Sequence, residues 1–118
     1  MRVERRRIQT PPPQIFEIPV PPHAPSEIAD AQDILNDWYE AAGEALLAQR
    51  PRRHTSPIAV EVVMASPKRH ADIGTRIPPL LRLLVRCGVI PTHDSTTVRS
   101  VSARWGDVER CQLILRRL

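Results

Sequence analysis

Two carboxylates, Asp72 and Asp94, bracket an apolar stretch in the segment KRHADIGTRIPPLLRLLVRCGVIPTHDS, and Lys68, Arg69 and Arg76 stand around the first of them. Acids brought from separate segments can hold Mg²⁺ or Mn²⁺, which neutralises a phosphodiester and activates a water. A lysine supplies a point charge, and a guanidinium donates two parallel hydrogen bonds to phosphate. On residue types alone, Asp72 and Asp94 are candidate catalytic groups and metal ligands. Lys68, Arg69 and Arg76 are candidate phosphate contacts. Asp72 would equally serve as a helix N-cap. His70 and His93 neighbour the two acids, so a mixed His/Asp transition-metal site is conceivable. Their spacing follows no zinc motif, and loop histidines are more often plain surface residues.

These groups need elements to position them. Residues 1–13 read as a loose basic and proline-rich arm ending in Pro11, Pro12 and Pro13. Gln14 to Val20 (QIFEIPV) reads as a short strand, with Pro19 making it an edge strand or ending it early. Pro21, Pro22 and Pro25 force an irregular turn. Ser26 is a plausible N-cap for a helix to about Gln49, because Ile28, Ala31, Leu35, Trp38, Ala42 and Leu46 repeat at helical spacing. Asp30, Asp33, Asp37, Glu40 and Glu44 form an acidic stripe on that helix, read as a solvated face rather than a metal or protein site.

Arg50 to His54 is a basic loop. Pro57 to Ala65 (PIAVEVVMA) is a near-continuous apolar run, which predicts a strand buried on both faces. The loop with Asp72 follows. A helix from about Pro78 to Cys87 comes next, with prolines tolerated only in its first turn and Gly88 as its C′ residue. Val98 to Trp105 and Cys111 to Leu118 alternate as strands, with Gly106 and Asp107 in the turn between them. The order is β-α-β-α-β-β, which predicts a single α/β (α+β) domain over residues 14–118, with a small mixed sheet and two main helices.

The chain has 118 residues, enough for one domain with a modest core. Its formal charge is +4, from 16 Arg and a single Lys against 13 acids. Residues 26–49 hold six acids and no base, whereas residues 50–118 hold 13 bases and five acids. A nucleic-acid partner would meet the C-terminal part and avoid the acidic helix. Aromatic residues are only 3% of the chain, which leaves few platforms for stacking single-stranded bases. Cys87 and Cys111 have no metal-type spacing and fit a reducing compartment. No secretory h-region is present, and no stretch approaches the ~20 apolar residues of a membrane span. The chain reads as a soluble cytoplasmic protein.

The segment VVMASPKRHADIGTRIPPLLRLLVRCGVIPTHDSTTVRSVSARWG resembles the RusA-type Holliday junction resolvases, or crossover junction endodeoxyribonucleases. Their pattern is a strand, a basic loop, D-x-D-N with a lysine three residues beyond the asparagine, a helix, G-[VIF]-[IW], then one or two Asp and a strand. IFEIPVPP is similar to the family's first strand and its Pro-Pro turn, so the resemblance covers roughly residues 14–118. Asp72 matches the first family aspartate. Asp94 is similar to the later one if one residue of slack is allowed; without slack, His93 takes that place. Gly74 stands for the second aspartate, Thr75 for the asparagine, Pro78 for the lysine and Arg82 for an acid further along the helix.

The resemblance implies a Mg²⁺-dependent (or Mn²⁺-dependent) endonuclease that acts on branched DNA in recombination and repair, as a homodimer matched to a two-fold junction. Asp72 and Asp94 would hold the metal, while Lys68, Arg69 and Arg76 would contact phosphate. The substitutions at Gly74, Thr75 and Pro78 remove a carboxylate and a charge aimed at the transition state. A relative that only binds DNA is therefore the alternative. A protein-interaction module that does not bind nucleic acid is a third reading, in which the acidic helix holds the basic arm or a basic partner.

Overall fold

The computed structural model describes residues 12–22, 31–67 and 71–118. Among them lie β1 (Gln14–Ile18), α1 (Ala31–Ala48), β2 (Ile58–Ala65), α2 (Ile77–Arg86), β3 (Val98–Gly106) and β4 (Cys111–Arg117). A single 3₁₀ turn, Gly74–Arg76, leads directly into α2. The fold is mixed α+β, with the element order expected from the sequence. The proposed Ser26 N-cap falls outside the described residues.

Local chemistry sets the boundaries. β1 stops at Ile18 because Pro19 has no N–H to give a ladder. Pro78 and Pro79 occupy the first turn of α2, where no intrahelical donor is required. Gly88 ends that helix with φ at +73°, a conformation that is free of strain only without a Cβ. Its N–H donates to the Val85 carbonyl, and the next N–H, of Val89, reaches Leu84 O at 2.9 Å.

The sheet order is β1-β4-β2-β3. β4 runs antiparallel to both β1 and β2, while β2 and β3 are parallel and joined through α2. β3 and β4 are consecutive in sequence but do not form a hairpin: β4 crosses the end of β2 and inserts on its far side. Burial decides this. β2 and β4 are the most apolar strands and take the centre, whereas β3 exposes Arg99, Ser100, Ser102 and Arg104 and suits an edge.

The register separates two faces. Phe16, Ile18, Val60, Val62, Met64, Cys111, Leu113 and Leu115 share the face that meets Trp38, Ala42 and Leu46 of α1 and Leu80, Leu83 and Leu84 of α2 in one core. The indole of Trp38 donates to Pro19 O at 2.9 Å and anchors α1 to the end of β1. The second face carries Ile15, Glu17, Glu61, Ser102, Arg104, Gln112, Ile114 and Arg116. Only Val63 and Ile114 are buried there, and they stand outside the main core cluster. The expectation that β2 is buried on both faces holds fully for one face only. On the other, Glu61 is half-buried and pairs with Arg116 at 3.3 Å.

Candidate functional site

Asp72 follows β2 on an exposed loop. Its Oδ1 accepts from the backbone N–H of Gly74 at 2.9 Å, and its carbonyl accepts from Thr75 Oγ1 at 3.0 Å. These bonds shape the start of the 3₁₀ turn, the short-range role that an Asp side chain takes in such turns. Arg76, four residues on, is half-buried. It donates through Nη1 to Pro21 O, and its guanidinium lies over the Trp105 ring, 5.8 Å from the centroid. It therefore ties the Pro-Pro turn to the end of β3. Lys68, Arg69 and His70 lie outside the described residues.

Asp94 builds the turn between α2 and β3. Its Oδ1 accepts from Thr96 Oγ1, from Thr96 N at 3.0 Å and from Thr92 Oγ1 at 3.0 Å. Its carbonyl accepts from Thr97 N at 3.1 Å and Val98 N at 2.9 Å. The Thr96 hydroxyl first, then its N–H and the Thr92 hydroxyl, hold the Asp94 carboxyl below its ordinary range by stabilising the charged form. His93 beside it is exposed.

The sheet keeps the two acids apart. Trp105, under Arg76, pairs with Met64 at the C-terminal end of β2. Val98, bonded to Asp94, pairs with Ile58 at the N-terminal end of the same strand. Asp72 and Asp94 thus lie at opposite ends of the βαβ unit, separated by the length of β2, roughly 20 Å at ~3.3 Å per residue. Carboxylates that share one Mg²⁺ have oxygens about 3 Å apart. Within one chain, Asp72 and Asp94 do not fit a common ion. Among the described residues no group of three His, Cys, Asp or Glu side chains converges as a ligand set. Thiol chemistry finds no support either. Burial raises the Cys87 thiol and pushes that of Cys111 up to about 12, so neither is primed as a thiolate.

A different cluster emerges at the N-terminal end of β2. The basic loop after α1 folds against the last residues of β4 and encloses a cleft of about 140 Å³. Arg52, Arg53, His54, Thr55, Ser56 and Arg117 line it, with Leu115 and Pro12 completing the wall. The loop is fixed by His54 N donating to Val89 O at 2.7 Å and by Leu118 N donating to Pro57 O at 3.1 Å. Gln14 braces it from β1. Oriented so that its oxygen meets donors, the amide accepts from Arg52 Nε at 3.2 Å and Arg52 N at 3.3 Å and donates to His54 Nε2 at 2.9 Å. Burial, then Arg52 and Arg117, hold the His54 imidazole below its ordinary pKa. The sequence signalled this cleft only as separate basic runs, RPRRH and LRRL. Their meeting depends on β4 lying beside β2.

Among the described residues, no helix is long and apolar enough to cross a membrane. No protein-family model matches the chain, and no curated protein matches it.

Proposed function

We propose that this is a RusA-like protein of the cytoplasm that binds branched DNA in recombination and repair as a homodimer, without a two-carboxylate metal centre inside one chain. The observation that carries this reading is the separation of Asp72 and Asp94 to opposite ends of β2 in a fold whose element order is the one the resemblance implies. Both acids have local structural work in their turns. The excess of bases over acids beyond residue 50 supplies the charge that DNA binding needs.

The test is a band-shift titration of a synthetic four-way junction against a linear duplex of the same length, across a salt series. Junction-preferring binding that weakens steeply with salt and is unchanged by Mg²⁺ or by Asp72→Asn supports the reading. Absence of DNA binding at low salt sinks it.

A second reading keeps cleavage. Asp72 and Asp94 are both exposed, so a metal site could be assembled from two copies of the chain. Mg²⁺- or Mn²⁺-dependent nicking of the junction that Asp72→Asn abolishes would favour this reading over binding alone.

A further inference from the structure

We propose that the cleft between the loop 52–56 and the end of β4 is a phosphate-binding site that takes one backbone phosphodiester of the bound DNA. This rests on the DNA-binding reading and names the part of the surface that contacts the strand.

The lining is built for a tetrahedral oxyanion. Arg52, Arg53 and Arg117 line it together with Thr55 and Ser56, and among the described residues no carboxylate does so. Neither Arg53 nor Arg117 has a carboxylate partner among the described residues, whereas Arg116, one residue away on the other face, is paired with Glu61. Alternation along β4 thus sends one arginine to an internal acid and the next into the cleft. Arg117 Nη2 donates to Ser56 Oγ at 3.5 Å, which places the guanidinium beside a hydroxyl that still has its own proton to donate. Arg52 is held by Gln14, which fixes the loop and lowers the entropy lost on binding. Burial first, and then the charges of Arg52 and Arg117, depress the imidazole of His54 in the same wall. Guanidinium forks and hydroxyls in one concavity match a phosphate geometrically, and a contact to phosphate positions the strand without reading its sequence.

The site lies at the opposite end of the sheet from Asp72. A strand seated in it is therefore displaced from the loop that the resemblance would use for chemistry.

The experiment compares the full-length protein with Arg53→Ala/Arg117→Ala and with Arg110→Ala. All three arginines are exposed, and Arg110 lies at the far end of β2, where its carbonyl accepts from Ala65 N at 2.9 Å. The double variant should bind the four-way junction about tenfold more weakly and lose about 0.9 from the log–log salt slope, the value of one phosphate contact, while Arg110→Ala stays close to wild type. If wild type binds DNA and the double variant binds equally well, or if Arg110→Ala loses as much, the cleft assignment is overturned and the DNA reading stands. Titration of inorganic phosphate, followed through the His54 ring resonances, separates the sources. Shifts produced by phosphate in a protein that binds no DNA would overturn the nucleic-acid assignment in favour of a free phosphate.

Discussion

The side-chain amide of Gln49 pairs with the backbone of Glu17 as another strand would: Glu17 N donates to Oε1 at 3.0 Å, and Nε2 donates to Glu17 O at 2.7 Å. β1 is an edge strand, and its outward N–H and C=O would otherwise be open to another chain. The end of α1 supplies the cover, and the same Nε2 also donates to Ala45 O at 2.9 Å.

Gln49→Ala should therefore cost about 1–2 kcal/mol, two net hydrogen bonds at roughly 1 kcal/mol each. Urea denaturation measures the loss. Light scattering on concentrated samples should show increased self-association through the uncovered edge.

Gly106 ends β3 beside β2. A Cβ there would lie 2.5 Å from Val63 Cγ1, and Val63 is itself buried in the second face of the sheet. Gly106→Ala should destabilise by about 1–3 kcal/mol through overpacking. Val63→Ala in the same chain should recover part of that loss, which a double-mutant cycle reads directly.

The lowered pKa of Asp94 makes its turn acid-sensitive. The folded-state value lies below the ordinary 3.8, so its contribution is fully present above that pH and is lost as pH falls through the folded value. Asp94→Ala should melt at a lower temperature than wild type at neutral pH. The difference should shrink as the pH falls below the ordinary carboxylate value, as followed by circular dichroism melts at a series of pH values.

His54 adds acid sensitivity of the same sign in a higher pH window. Burial, Arg52 and Arg117 depress its pKa below 6.5, so the unfolded chain binds more protons in the window beneath that value. Its neutral form in the fold is favoured above pH ~6.5, and stability drops as pH falls from there toward the folded value. Proton NMR of the ring should give a midpoint under 6.5. His54→Gln, which cannot titrate, should flatten this part of the stability profile.

Gly74 offers a test of what the Asp72 loop lacks. A Cβ at this position would meet only Asp72 Oδ1, at 3.4 Å. Gly74→Asp would thus add a second carboxylate next to the first, and Mg²⁺ or Mn²⁺ is commonly held by one or two such groups. Mn²⁺ titration by calorimetry should show tighter binding in this variant than in wild type. Unchanged binding would mean that the loop cannot orient the pair.

Much of the architecture could be read directly from residue types. Prolines and glycine mark where β1 stops and where α2 begins and ends, because their backbones forbid or require particular conformations. The apolar run of β2 and the helical repeat of α1 announce their elements through periodicity alone. Asp72 and Asp94 were recognisable as loop acids for the same local reason. Their separation was not, because it follows from β3 running parallel to β2, a pairing that no short-range signal encodes. The insertion of β4 between β1 and β2 is equally non-local: the Gly106–Asp107 turn reads like a hairpin connection, but burial of the most apolar strands in the centre overrides proximity in sequence. That insertion also brings Arg117 to Arg53 and His54. The sequence by itself determined the elements and their chemical inventory, since these depend on neighbours a few residues apart. Only the tertiary structure decided which charges meet, since that depends on sheet order, which is fixed by burial over the whole chain.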